Sequence, residues 1–139
     1  MTIPFAVVAD HASADSSGKL NLLGVFERIT VQRFPSIHKR LYLVFRISCP
    51  VNEANRQFEL TLKFLDQDGR EEFKIGPLKS KVPDVRPDGA PIEIPMILEL
   101  ENLQLIKEGR HEWKIEVDGD TKAQIPITIS VKGQEKLDV

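Results

Sequence analysis

Residues 109–131 read GRHEWKIEVDGDTKAQIPITISV, and this stretch decides the fold. His111, Trp113, Ile115 and Val117 share one face of an alternating segment, while Glu112, Lys114 and Glu116 share the other. Asp118-Gly119-Asp120 then breaks the run. Alternation resumes beyond it, with Ala123, Ile125, Ile127, Ile129 and Val131 on the apolar side and Gln124, Thr128, Ser130 and Lys132 on the polar side. Two period-two runs joined by Asp-Gly predict a β-hairpin, because a tight hairpin turn needs positive φ at its centre. One face of that hairpin must be covered, and Trp113 is expected in the core.

Working outward, the same alternation recurs. Leu41, Leu43, Phe45 and Ile47 alternate against Tyr42, Val44, Arg46 and Ser48, and Phe58, Leu60, Leu62 and Phe64 predict a further strand. Asp66-Gln67-Asp68-Gly69 is a turn, with Phe73 and Ile75 on the return strand. Ile92, Ile94, Met96, Leu98 and Leu100 form another. Residues 3–9 are a near-continuous apolar run, suited to a strand covered on both faces. Residues 10–18 hold Asp, His, Ala, Ser and Gly and read as a loop. In residues 19–31 the apolar phase changes at Gly24, which predicts a bulge or bend, hence two strands or one strongly bent strand. No 3.6-residue stripe is found.

The expected fold is therefore all-β, a two-sheet antiparallel sandwich of about eight strands, immunoglobulin-like or related, with a closed barrel as the alternative. Pro95 and Pro126 fall within strand patterns and cannot donate to a ladder, so at least one should lie near a sheet edge. One domain is expected over residues 1–132, followed by a frayed tail over 133–139. Residues 79–91, with Pro83, Pro87 and Pro91, are long for a connection and predict a mobile or a binding loop.

Composition bounds the function. The 139 residues carry 19 basic and 21 acidic side chains, a net charge of −2. That balance lacks the basic field of a nucleic-acid binder, so no nucleic-acid partner is expected. Apolar runs are too short for a membrane helix, and no signal peptide is read at the start, so the expected location is cytoplasmic with no membrane partner. The lone Cys49 excludes an internal disulfide and reads as a small buried hydrophobe.

Val7-Val8-Ala9-Asp10, followed by Gly18-Lys19-Leu20-Asn21-Leu22-Leu23-Gly24-Val25-Phe26-Glu27-Arg28-Ile29, resembles the opening of a family of short, uncharacterised bacterial all-β proteins. The Asp66 to Gly69 turn and the spacing of Gly109, Trp113, Val117, Asp118 and Gly119 are similar too. The resemblance implies fold and bacterial origin and assigns no functional residue.

No catalytic pattern emerges. His11, His38 and His111 lie on different elements without metal-ligand spacing, and His111 reads as a hydrogen-bonded core histidine. Asp10-His11 with Ser13, Ser16 and Ser17 contains triad residue types, but no nucleophile-elbow motif accompanies them, and a hydrolase is the weakest option. Asp10 itself is expected to hold the following loop, near Lys19, by accepting backbone N–H groups. No cofactor is implied. The expected function is a non-catalytic binding or assembly module in a bacterial cytoplasm, with a protein partner. The alternative is a calcium- or ligand-dependent C2-like module whose loop aspartates, Asp66, Asp68, Asp118 and Asp120, with Asp10 and Asp15 also in loops, would supply hard oxygen ligands.

Overall fold

The computed structural model describes residues 1–133, and all but Gly133 of the tail expected over 133–139 lies outside the described residues. Nine strands form in chain order: β1 (Thr2–Ala14), β2 (Leu20–Val25), β3 (Arg28–Val31), β4 (Ser36–Cys49), β5 (Gln57–Leu65), β6 (Glu71–Lys81), β7 (Ile92–Leu105), β8 (Gly109–Val117) and β9 (Asp120–Val131). Among the described residues, one 3-10 turn, Val51–Glu53, interrupts them. The protein is all-β. Sheet A has the order β2-β1-β4-β7, and sheet B the order β3-β9-β8-β5-β6.

The hairpin read from residues 109–131 is β8–β9, with Trp113 opposite Ile125 and His111 opposite Ile127. Asp118 and Gly119 both take positive φ, 51° and 85°, as the two-residue turn demands. Trp113 is fully buried. Around it, inward residues of both sheets make one core: Val8, Leu41, Leu43, Phe45 and Ile47 from sheet A, and Phe58, Leu60, Leu62, Phe64, Ile115 and Ile127 from sheet B. Phe64 packs on Trp113 at 4.9 Å between ring centroids, and Phe73 meets it edge-on at 6.2 Å.

Strand boundaries differ from the sequence reading, the strands running longer than alternation alone marked them. The segment read as a loop from Asp10 is strand as far as Ala14, paired antiparallel with β2 through His11↔Leu23, Ala12↔Leu22 and Ser13↔Asn21. Polar composition suggested a loop there. An edge hairpin exposed to water tolerates polar residues on its open face, and cross-strand pairing decides its conformation. The bend expected at Gly24 is real, with φ +70°. Just beyond it the chain leaves sheet A, and β3 joins sheet B beside β9, parallel to it, through Ile29↔Ile129.

Pro95 lies on β7, an edge strand. Pro126 lies on β9 before β3 begins to cover it at Thr128, where β9 is itself uncovered. Both positions spare a missing ladder donor. The proline-bearing connection is shorter than it read, because β6 extends to Lys81. Its start is pinned: Val82 is fully buried and its N–H donates to the Arg56 carbonyl at 2.8 Å.

Candidate functional site

Sheet A is apolar on both faces, which a sheet with one solvated face does not need. Strand β4 reads Leu41-Tyr42-Leu43-Val44-Phe45, apolar in both phases. Leu41, Leu43 and Phe45 enter the main core. Tyr42 and Val44 point the other way, yet Val44 is fully buried and Tyr42 nearly so. They form a second cluster with Ala12, against which Phe5, Val7, Leu20, Leu22 and Ile97 pack half-buried. His11 stands edge-on to the Tyr42 ring at 5.2 Å.

Chain geometry explains the cover. Pairing of β1 with β4 stops at Ala9↔Tyr42, and residues 10–25 continue as a two-stranded arm. A straight strand would carry Ala14, and Leu20 opposite it, roughly 30 Å from Phe5. Instead Phe5, Lys19, Leu20, Leu22 and Arg46 line one open depression of about 410 Å³. The arm therefore folds back over the outer face of sheet A, laying Ala12, Leu20 and Leu22 onto Tyr42 and Val44. The bend sits where Asp10 faces Gly24: a Cβ at Gly24 would collide with the Asp10 carboxylate.

Asp10 is thus a strand residue at the bend. The loop anchor is Asp15, whose Oδ1 accepts from the backbone N–H of Ser17 at 2.9 Å and of Lys19 at 3.0 Å, and from the Ser17 hydroxyl at 2.6 Å. Those donors, the Ser17 hydroxyl first, hold its carboxyl below the usual carboxylate range. The motif was legible in Asp-Ser-Ser-Gly; the strand before it was not.

The arm leaves an open edge. Leu23 and Val25 are 69% and 53% exposed, and among the described residues no strand pairs with the far side of β2. β2 contains neither a charge nor a proline. The other three edges are protected in the ways natural sheets use. β7 carries Pro95 with Glu93, Glu99 and Glu101; β6 carries Pro77 with Lys74, Lys79 and Lys81; β3 is only four residues long.

The remaining candidate residues are structural or separated. Leu65 pairs with Glu112 and Leu60 with Val117, so the turn after β5 and the turn after β8 lie at opposite ends of sheet B. Five residues of strand, roughly 17 Å, keep Asp66 and Asp68 from Asp118 and Asp120. The four aspartates share no ion, which corrects the expectation of a joint calcium site. Asp66 Oδ1 accepts from the backbone N–H groups of Asp68 and Arg70, and its Oδ2 lies 2.5 Å from Lys107 Nζ. Asp118 accepts from Glu59 N–H at 2.9 Å and from Arg56 at 2.6 Å. Among the described residues, no group of His, Cys, Asp or Glu could hold a metal ion.

His111 is fully buried. Its Nδ1 lies 3.1 Å from the Gly109 carbonyl oxygen, an acceptor only, so Nδ1–H donates there. Nε2 lies 2.7 Å from Glu72 Oε1. The ring stacks on Phe64 at 5.1 Å. Glu72 comes from an edge strand distant in sequence, so alternation alone could not find it. Cys49 is buried, and desolvation, followed by the Glu53 carboxylate, pushes its thiol up, as befits an unreactive packing residue. Among the described residues, no helix is long and apolar enough to cross a membrane.

Among curated proteins, none matches this sequence. Among solved structures, Pseudomonas fluorescens alkylpurine DNA glycosylase AlkC bound to DNA containing an abasic site analog is similar at a TM-score of 0.53 and 11% identity. The match covers 90% of this chain and only 30% of that one, and it is a likeness of fold. It nonetheless corrects the expectation of no nucleic-acid partner: a fold of this kind occurs within a DNA-bound protein. Net charge averages over every face of a chain, whereas a duplex meets one. A family model described as a family of unknown function covers residues 4–130, and the chain belongs to that family, DUF6941.

Proposed function

We propose that this chain is a non-catalytic binding or assembly module that accepts an extended strand on the open edge of β2. One observation carries the reading: β2 alone of the four edges has no charge, no proline and adequate length, and it exposes Leu23 and Val25. Sheets that must stay solitary blunt such edges, and strand-adding proteins keep them. Main-chain hydrogen bonds would supply affinity, and the exposed apolar side chains selectivity. The fold that suits this role is a single two-sheet sandwich domain, immunoglobulin-like or related. An unreactive buried Cys49 suits the reducing cytoplasm of a bacterium.

Affinity capture from the source cells tests it. The wild-type chain should retain a partner that the Leu23→Lys variant loses, with the two melting temperatures within about 2 °C because Leu23 is exposed. Equal capture by both would exclude the β2 edge.

A second reading has its own support. Lys74, Lys63 and Lys114 lie opposite one another across β6, β5 and β8, on the outer face of sheet B. Lys63 is held by Glu116 at 3.2 Å, while Lys74 and Lys114 flank it across a row about 10 Å wide. That row, with the fold's occurrence in a DNA-bound protein, supports weak, salt-dependent nucleic-acid binding. Fluorescence anisotropy with a duplex carrying an abasic site should show binding at 50 mM salt that Lys74→Glu with Lys114→Glu removes. No binding at that salt would end this reading.

A further inference from the structure

We infer that the strand added to β2 is the β2 of a second copy of this chain, the two edges pairing antiparallel about a twofold axis. This rests on reading the β2 edge as a binding site. An edge paired with its own copy sets each side chain near its own kind, so an edge bearing charges of one sign repels itself. β7 carries three glutamates and no basic residue, and β6 is charged throughout, with Glu71 and Glu72 at one end and Lys74, Lys79 and Lys81 beyond, but Leu20-Asn21-Leu22-Leu23-Gly24-Val25 carries no charge.

The flanks favour the same arrangement. Lys19 precedes β2 and Glu27 follows it, both exposed. Arg28, next along the chain, already belongs to β3 and the other sheet. Antiparallel alignment brings each Lys19 end beside the other copy's Glu27 end, twice over by symmetry. Parallel alignment would set Lys19 beside Lys19. The two phases of β2 complete the argument. Leu20 and Leu22 are used against Tyr42 and Val44, whereas Leu23 and Val25 remain largely exposed in the isolated chain. A strand apolar in both phases is one with neighbours on all sides. Pairing would join two four-stranded sheets into one continuous sheet across the axis.

The interface is small. Two six-residue edges about 20 Å long bury roughly 600 Å² together, below the ~1,200–2,000 Å² of stable complexes, so the dimer is weak and reversible.

Sedimentation of the full chain from about 1 to 500 μM tests the inference. A monomer–dimer equilibrium is expected, with Leu23→Lys monomeric throughout. Lys19→Glu alone and Glu27→Lys alone should each weaken association about tenfold, the scale of two exposed pairs turned from attraction to repulsion. An equimolar mixture of those two variants, or the double variant Lys19→Glu with Glu27→Lys, should recover it. A chain monomeric at 500 μM overturns the inference, and so does a dimer indifferent to every one of these changes. The β2 reading fails separately: a monomer whose captured partner is lost on Leu23→Lys removes only the self-partner, while unchanged capture removes both.

Discussion

Asp66 and Asp15 each open a turn, and each takes two backbone N–H groups from the residues that follow. Asp66 adds Lys107, and that ammonium, ahead of the backbone donors, depresses its carboxyl from 3.8 to about 2. Lys107 is correspondingly raised by the same contact. A depressed folded-state pKa means that the folded chain releases this proton more readily than the unfolded chain. The stabilisation is therefore complete above about pH 4 and is lost as pH falls from there through about 2. Asp66→Asn should lower the urea midpoint at pH 7. It should also flatten the steep part of the acid limb, because the variant has no proton to gain in that window. Urea midpoints at pH 2.5, 3.5 and 7 decide it. A variant as acid-sensitive as the wild type would show that other carboxylates govern that limb. Asp10 contrasts with both: it follows an apolar run as a turn anchor might, but cross-strand pairing continues past it, and its side chain lies over Gly24.

At the scale of elements, the arm over sheet A depends on Gly24. A side chain there meets two obstacles, the positive φ of 70° and the Asp10 carboxylate, into which its Cβ would run. Gly24→Ala should destabilise the chain by about 1–3 kcal/mol, the usual cost of a non-glycine residue held in a disfavoured backbone region. Asp10→Ala in the same chain should return part of that loss, because it removes the contact and leaves the backbone strain. Full additivity of the two changes, measured as a double-mutant cycle in urea, would mean that Asp10 and Gly24 do not meet. The bend was legible, because the apolar phase of residues 19–31 changes at Gly24. The fold-back was not. Its signal was the two-sided apolarity of β4 and of residues 3–9, which shows that both faces are covered but not what covers them. The destination of β3 was equally hidden. Nothing in Arg-Ile-Thr-Val distinguishes a strand that continues sheet A from one that crosses to sheet B. That choice depends on β9 offering a free edge there.

For the whole molecule, alternation made the sheets legible because each strand sets one row of side chains into a shared core. Contacts between rows, such as Glu72 with His111, depend on strand order, which periodicity does not encode. That order also ranks local stability. β4 lies between β1 and β7, β8 lies between β5 and β9, and both are lined with fully buried side chains. β2 has one neighbour and four exposed residues of six. Opening the arm would release only Ala12, Leu20 and Leu22 from the small outer cluster and leave the main core intact. Native-state hydrogen exchange should therefore find the slowest amides in β4 and β8, exchanging only by global unfolding, and the fastest strand amides in β2. The ranking holds for dilute protein. If two copies pair through β2, its amides gain hydrogen-bond partners as concentration rises, and their exchange should slow while that of β4 and β8 stays constant. Equal protection of β2 and β4 at low micromolar concentration would mean that the arm is welded to the core and opens only with it. Protection of β2 that never changes with concentration would leave its edge unpaired in solution.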